Sequence, residues 1–419
     1  METESSSSRV QFCRLCGGDF YAETLSLFPT PLANELYGSL QSALAAETFR
    51  LTLAMCKKCS HIQLDEAVSS ARLFDSYIYT SSTSHSFQAH FDELALKIQG
   101  LVPPLASILE VGSNDGYLLS RLNDFELHCL GLEPSEILVA KSRMLGLEIH
   151  HGYLEESFVS EIVESRGQFD CVVGNNVFAH IPNLAQAFKH VNTLLKPNGL
   201  FVIEVAHAVE ILRKGIFDTI YHEHHSYHTL LAIRPFLESL GFGLVDVEVI
   251  ETHGGSLRIV AQKGGKTNPS KVSAIEDEER NLGFDSPKLF EKLAKLIDTA
   301  QSSFASVIAS SGQSIVFGYA APAKVVTFLY QVSAKTHEIS FIVDDNPLKQ
   351  GKFLPGLGIP IVDLEFLKGE LSQTSKLTFV CLVFAWNLSH ELRAKIRGLL
   401  PKGSEIVTFF PTLSKEVIE

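Results

Sequence analysis

The sequence lacks the features of several large classes of protein. Its apolar residues, 45% of the chain, are scattered, so no run is long enough for a transmembrane helix. Lysine and arginine number 35 against 48 acidic residues, and a net charge of -13 argues against nucleic acid as a partner, because that binding depends on neutralising phosphates. No apolar segment follows the first residues, METESSSSRV, which therefore resemble a tail and not a signal peptide. We expect a cytoplasmic protein that binds neither membrane nor nucleic acid.

Cysteine is concentrated in two matched pairs. The motifs CRLC and CKKC supply four thiols that can converge on one tetrahedral metal ion: Cys13, Cys16, Cys56 and Cys59. Four sulfur ligands leave no open position, so a zinc ion held there would be structural. Two unrelated pairs are the plain alternative. The other three cysteines stand alone in apolar runs typical of core packing: Cys129, Cys171 and Cys381.

Strand and helix patterns alternate from Ser107 onwards. SILEVGSNDGYLLSRL predicts a buried strand, a glycine-bearing turn and a helix from about Tyr117, and LHCLGLEPS predicts a second strand that ends at Glu133. Such βαβ order implies a parallel sheet whose ligands bind at the carboxyl ends of the strands.

The first turn differs from a dinucleotide-binding GxGxxG motif. EVGSNDG matches instead the ExGxxxG pattern of S-adenosylmethionine enzymes. Gly112 would let the methionine part of that ligand approach the backbone, and Glu133 would accept hydrogen bonds from the ribose hydroxyls. Taken alone, the turn would also suit any βαβ unit.

Polar groups recur where five successive strands end, and LVDVEVIETHGGSLRIVAQ predicts a closing antiparallel hairpin. Together these features predict a class I methyltransferase core. The predicted cofactor contacts lie at the strand ends and in the turns: Glu110, Gly112, Ser113, Asn114, Gly116, Glu133, Pro134, Ser135, Tyr153, Asn175 and Asn176.

The stretch TIYHEHHSYHT, residues 219–229, holds four histidines. A zincin HExxH motif would need histidine where Ser226 stands, and no carboxylate accompanies the i, i+4 pair of His224 and His228 on a helical face. A solvated loop is the plain alternative. Because the stretch follows a strand that ends at the predicted site, its proton donors and acceptors favour acid/base chemistry.

The chain resembles the sugar-nucleotide C-methyltransferases of deoxysugar biosynthesis, which include an enzyme that methylates C3 of a dTDP-linked 3-keto sugar. The resemblance covers nearly the whole chain through blocks in the same order: CRLCG, PLAN, CKKC, YIYTSSTS, EVGSNDG, LEPS, NNVFAHI, IEV, YHEHHSYHT, HGGSLRI, GYAAPAK and DDNPLKQGKFLPG. One difference is Ala320, where glycine is commoner in the family.

The resemblance implies roles for particular residues. His224 would be the general base, with Tyr221 and Glu223 beside it and His180 positioning the sugar. Tyr77 and Tyr79 would lie at the cofactor, one of them on the substrate side, whereas His222, His225 and His228 would be structural. The predicted substrate contacts are His253, Ser256, Arg258, Lys324 and Lys349, although Arg258 in a strand equally suits a structural ion pair.

Strand and helix alternate again after two polar helices, from Ser314 to the end, which predicts a second Rossmann-like domain. GYAAPAK lacks the glycines of a pyrophosphate cradle, which disfavours NAD. We therefore predict an α/β protein of three parts: a zinc-binding domain (1–70), an S-adenosylmethionine-dependent core (71–265) and a sugar-nucleotide-binding domain (266–419). O-methylation of a sugar, NAD-dependent oxidoreduction and a non-catalytic zinc protein are the alternatives, and the oligomeric state stays open.

Overall fold

Several helices begin where a polar side chain satisfies one of the first unpaired backbone donors. The computed structural model describes residues 7–75, 85–373 and 377–419. Asn183, Thr229 and Asn268 each precede a helix and accept a backbone N–H of its first turn. Each such cap stabilises its helix by about 1 kcal/mol.

The amino-terminal segment is built from short antiparallel strands. Its elements are β1 (Ser7–Arg9), β2 (Phe20–Thr30), α1 (Leu40–Leu44), β3 (Phe49–Cys56), β4 (Ile62–Leu64), β5 (Glu66–Val68) and α2 (Ser70–Phe74). Strand β1 pairs with β5, and β4 pairs with β3 in the register Leu53 to Leu64. The second CxxC motif therefore starts at Cys56, the last residue of β3, and continues into the turn before β4.

The central segment has the predicted alternation of strands and helices. Its elements are α3 (His85–Leu101), β6 (Ser107–Val111), α4 (Tyr117–Asn123), β7 (His128–Glu133), α5 (Glu136–Met144), β8 (Ile149–His151), α6 (Glu156–Arg166), β9 (Phe169–Asn175), α7 (Leu184–Leu194), β10 (Leu195–Ala206), α8 (Ala208–Lys214), β11 (Ser226–Tyr227), α9 (Leu230–Ser239), β12 (Phe242–Ile250) and β13 (Ser256–Lys263). The helix start at Tyr117, the strand end at Glu133 and the closing hairpin are confirmed.

Seven of these strands form one sheet in the order β12-β13-β10-β9-β6-β7-β8. All run parallel except β13, which is antiparallel to both neighbours. Alternate residues of a strand enter separate cores on the two faces, as strand geometry requires: Leu109 and Val172 lie in one, Ile108 and Cys171 in the other. Burial on both faces explains the continuous apolar runs of β6 and β9.

The carboxyl-terminal segment contains a second sheet. Its elements are α10 (Pro269–Leu282), α11 (Leu289–Ser310), β14 (Ile315–Tyr319), α12 (Lys324–Gln331), β15 (Ile342–Val343), β16 (Ile361–Val362), α13 (Leu364–Gln373), β17 (Phe379–Val383), α14 (Ser389–Arg397), β18 (Glu405–Thr408) and β19 (Ser414–Val417). The order is β16-β15-β14-β17-β18-β19, parallel except for β19. The predicted second parallel sheet is confirmed, as is the helical connector before it.

Contacts divide the chain into two compact units. Unit 1 comprises residues 1–23, 53–209 and 223–287, and unit 2 comprises 24–52, 210–222 and 288–419. Residues 24–52 group with the carboxyl-terminal residues because of backbone bonds such as Phe353 N to Tyr37 O and Gly356 N to Ala43 O. This grouping differs from the three-part division of the sequence, whose boundaries stay predictions. No helix in the described ranges combines the length and apolarity needed to cross a membrane.

Candidate active site

The four paired cysteines converge in unit 1. Their sulfur atoms all lie within 4.8 Å of one another, with 3.7 Å between Cys13 and Cys59 and 3.5 Å between Cys16 and Cys56. Tetrahedral zinc with bonds of about 2.3 Å would set its sulfur ligands about 3.8 Å apart, so the cluster fits that ion. A Cβ atom at position 18 would lie 3.1 Å from the sulfur of Cys56 and 3.3 Å from that of Cys16. This crowding explains why Gly18 follows the motif CRLC. The predicted metal ligands are thus brought together.

The ends of β6 and β7 meet through the carboxylate of Glu133. One of its oxygens accepts the backbone N–H of Asn114 at 2.8 Å, and the other accepts that of Ser135 at 2.9 Å. Each oxygen keeps a further acceptor position, so the group fits the ribose hydroxyls of S-adenosylmethionine. Burial raises the pKa of Glu133, against the two backbone bonds that lower it.

The turn after β6 needs its glycines for backbone conformation and for packing. Gly112 has φ +70° and Gly116 φ +77°, in the left-handed region. A side chain at Gly112 would meet Val177 at 2.8 Å, and one at Gly116 would meet Leu147 at 2.3 Å. Neither position therefore tolerates a larger residue.

Glu110 lies deeper than a ligand contact would require. It is 3% exposed within β6, and burial raises its pKa well above the usual range, with the Glu133 and Asp115 charges acting in the same direction. Ser113 beside the turn is also buried. Contacts of these two side chains with the cofactor stay predictions.

The ends of β9 and β10 are joined by a carboxylate. Glu204 accepts Asn175 Nδ2 at 2.9 Å and Arg258 Nε at 2.5 Å, while Asn176 Nδ2 donates to Asn175 Oδ1. His90 of α3, which the sequence did not point to, contacts the same carboxylate through Nε2 at 2.7 Å. Arg258 thus forms the structural ion pair that the sequence allowed, and its contact with the substrate stays a prediction.

Further predicted residues have partners within their own unit. In unit 1, Tyr153 donates to Asp75 at 2.8 Å, Ser256 donates to the Thr252 carbonyl, and the Pro134 carbonyl contacts His151. The described residues do not include Tyr77 and Tyr79, nor the side chain of His253.

The two predicted lysines lie in unit 2. Lys349 Nζ donates to the Ala321 carbonyl at 2.8 Å, and Lys324 Nζ donates to Asn387 Oδ1 at 2.7 Å while lying 3.6 Å from the centre of the Trp386 ring. Ala320 has φ +65°, in the region where glycine carries no steric cost, which accounts for glycine being commoner there. Substrate contacts of both lysines stay predictions.

The four histidines of TIYHEHHSYHT differ in exposure. His222, His225 and His228 are at most 2% exposed, and burial lowers the pKa of His222 and of His228 to about 4. The side chain of His224 is half-buried. Among the four, His224 is therefore the most exposed.

His180 lies beside His224 in unit 1. The two ring centres are 5.0 Å apart, and His180 Nδ1 donates to the Glu223 carbonyl at 2.7 Å. Burial lowers the pKa of His180, although hydrogen bonds to the backbone of Glu223 and Asn176 oppose the shift. Glu223 itself is 1% exposed, and Tyr221, in unit 2, is half-buried.

Comparison with known proteins gives three family models in chain order. A "zinc binding domain" matches residues 13–74, a "Methyltransferase domain" 85–247, and a "C-methyltransferase C-terminal domain" 251–411. Together with the strand order and the reversed β13, these matches define a class I S-adenosylmethionine-dependent methyltransferase with a structural zinc site.

Individual relatives narrow the class. The chain is 30% identical over 410 residues to "C-methyltransferase NovU" of Streptomyces niveus, and the match covers 96% of each chain. The protein belongs to this family of C-methyltransferases. It is also 26% identical over 96 residues to a ubiquinone biosynthesis O-methyltransferase of Bradyrhizobium diazoefficiens, a match that covers 23% of this chain and 38% of the relative. Among solved structures, the PH0226 protein from Pyrococcus horikoshii OT3 is 19% identical, covering 46% of this chain and 97% of its own, with a TM-score of 0.38.

Proposed function

We propose that this C-methyltransferase acts on a keto-deoxysugar carried by a nucleotide, dTDP, and methylates C3 through an enolate, which requires the ketone on a carbon next to C3, such as C4. Carbon methylation places one chemical demand on the protein. A C–H bond next to a ketone must lose its proton to a base before the carbon can accept a methyl group, whereas a hydroxyl needs little activation. Bound S-adenosylmethionine supplies the methyl group from its sulfonium.

The observation that carries the proposal is the exposure of His224 within the stretch TIYHEHHSYHT. His224 is half-buried between neighbours that are almost fully buried, and it faces the ring of His180 at 5.0 Å. A neutral imidazole is a competent base near pH 7. His224 therefore takes the α proton.

The groups around His224 orient the site, and they do not accept the proton themselves. The carbonyl of Glu223 holds the ring of His180 by its Nδ1, so the orientation of His180 is set by the loop that carries His224. The lowered pKa of His180 keeps its ring neutral, and because Nδ1 carries the proton donated to Glu223, Nε2 is left as an acceptor, which suits a hydroxyl of the sugar. Glu223 completes the group in our proposal, and the role that the resemblance gives to Tyr221 of unit 2 stays a prediction.

The test is solvent exchange at the carbon to be methylated. His224→Asn is compared with wild type and with His337→Asn, which changes an exposed histidine of unit 2. With a panel of 3-keto and 4-keto dTDP sugars in deuterated water, wild type should introduce deuterium beside the ketone, and NMR should locate the new methyl there. In His224→Asn the rate of deuterium incorporation and the rate of methylation should each fall by a factor of roughly 10²–10⁴, the usual contribution of a general base.

Two outcomes contradict the proposal. Full exchange in His224→Asn would remove that residue from its role. Methylation of a hydroxyl without any exchange would replace the enolate with simple O-methylation.

A further inference from the structure

The motif CKKC, the second of the two cysteine knuckles CRLC and CKKC, contacts the stretch TIYHEHHSYHT. His61 follows Cys59 by two positions and is fully buried. Its Nε2 lies 3.1 Å from the hydroxyl oxygen of Ser226, two residues after His224. A direct side-chain contact thus joins the knuckle to the segment of the proposed base.

The backbone joins the same two segments. Strand β4 pairs with β11 in the register Ile62 to Tyr227 and Gln63 to Ser226. Leu64 N donates to the carbonyl of His225 at 3.0 Å, and on the knuckle side Cys56 N donates to the carbonyl of His61 at 2.9 Å. Strand β4 therefore begins three residues after the ligand Cys59 and is hydrogen-bonded directly to the segment that follows His224.

The first knuckle contacts the segment that follows His180. Arg14 lies between two of the metal ligands; its backbone N–H donates to Gln63 Oε1 at 2.7 Å and its guanidinium donates to the Pro182 carbonyl at 2.8 Å. Ala185 N donates to the carbonyl of Arg14 at 3.0 Å. Each knuckle is thus bonded to one of the two segments that carry His180 and His224.

We propose that the four-cysteine centre fixes the position of the segment TIYHEHHSYHT, which carries His224. His61 is the positioning residue that connects the centre to this segment. Four thiolates at these separations repel one another unless a cation holds them, so the knuckles keep their form only with the metal bound. Without the metal, the two CxxC motifs should become disordered. Strand β4 would then no longer be held at the cysteine cluster, and the position of His224 would vary. The catalytic consequence rests on the proposed function, whereas the structural coupling does not.

Amide hydrogen exchange measures the coupling without any substrate. The zinc-loaded protein is compared with protein stripped by a chelator, and peptides spanning 220–229 are followed beside peptides of the sheet strands 107–111 and 169–175. We expect protection in 220–229 to fall together with that in 53–64, while the sheet strands keep theirs. Loss confined to the knuckles, with 220–229 unchanged, would overturn the proposal, and so would uniform loss across the sheet.

A point variant tests the connection with the metal in place. Ser226→Ala removes only the hydroxyl that contacts His61, and Ser165→Ala removes a hydroxyl bonded to its own helix, away from the loop. Loss of one hydrogen bond of ordinary net strength changes the equilibrium constant for local opening by between about twofold and about tenfold. We expect a loss of that size in the protection of 220–229 and in substrate deuterium exchange for Ser226→Ala alone, with unchanged S-adenosylmethionine affinity.

The two proposals fail in different ways. If Ser226→Ala leaves the protection of 220–229 unchanged, His61 does not position the loop. If protection falls but deuterium exchange into the substrate does not, the coupling stands and His224 is not the base.

Discussion

Arg258 donates its Nε proton to the carboxylate of Glu204 at 2.5 Å, and the two side chains are 2% and 1% exposed. The same carboxylate accepts from Asn175 and contacts His90, so it connects strands β9, β10 and β13 with helix α3. Burial acts to raise the pKa of Glu204, but the bond to His90 and the Arg258 charge outweigh burial and leave that pKa lowered. A buried charge of this kind is tolerated only while its partners remain.

Replacing the carboxylate should therefore destabilise the protein. Glu204→Gln removes the one buried carboxylate beside Arg258 and leaves only the more exposed Glu93 and Glu248, each 3.4 Å from Nη1. Breaking a buried ion pair costs up to about 3–5 kcal/mol of unfolding free energy, and these two partners should keep the loss at or below that range. Urea denaturation followed by circular dichroism measures the loss. Glu164→Gln, on the exposed face of α6, serves as control and should change stability little.

The same group predicts how stability depends on pH. A carboxyl whose folded-state pKa lies below the unfolded value of 4.5 stabilises the folded state above pH 4.5, and that contribution is lost as the pH falls through the folded value. Wild type should thus lose stability more steeply than Glu204→Gln below pH 4.5. Parallel acid unfolding curves for the two proteins would show that Glu204 does not contribute.

Glu133→Gln should weaken binding of S-adenosylmethionine. The amide keeps one acceptor oxygen but loses the charge that orients it, and hydrogen bonds to charged groups contribute about 1.5–3 kcal/mol, or roughly 10- to 100-fold in affinity. Titration calorimetry measures the dissociation constant. Glu136→Gln, an exposed carboxylate three residues further along, should bind as wild type does. Equal affinities in all three proteins would exclude Glu133 as a ligand contact.

One zinc ion per chain is expected. Cys56→Ser removes one of four ligands and should lower the bound metal well below one equivalent, because structural sites depend on the closed ligand set. Cys129→Ser removes a thiol outside the cluster and should keep full occupancy. Elemental analysis of the purified proteins measures the ratio, and full zinc in Cys56→Ser would contradict the four-cysteine site.

Trp386, the single tryptophan of the chain, should report the charge of Lys324. Burial lowers the pKa of that lysine to about 8, although the Asp218 charge opposes the shift, and the ammonium lies over the indole ring. As the pH rises through about 8 the lysine loses its charge, so indole fluorescence should change with a midpoint there. Lys324→Met should abolish that transition, whereas Lys402→Met, on an exposed lysine, should keep it. A transition that survives in Lys324→Met would assign it to another group.

Local patterns carried the fold class and the metal ligands. Strand and helix periods, the CxxC spacing and the glycine turn EVGSNDG each depend on residues close together in the chain, so they can be interpreted without a structure. The strand ends at Glu133 and Asn175 could be located for the same reason. The chosen base, His224, came from the family resemblance and stays a prediction.

The sequence by itself determined the two parallel sheets, the cysteine cluster and the edge of the first sheet where polar residues gather. Only the tertiary structure decided which histidine of TIYHEHHSYHT is the most exposed. It also decided that Arg258 pairs with Glu204, that His90 joins them, and that His61 contacts Ser226. These relationships connect residues that lie 54 to 165 positions apart. They follow from strand register and helix packing, which no local pattern encodes.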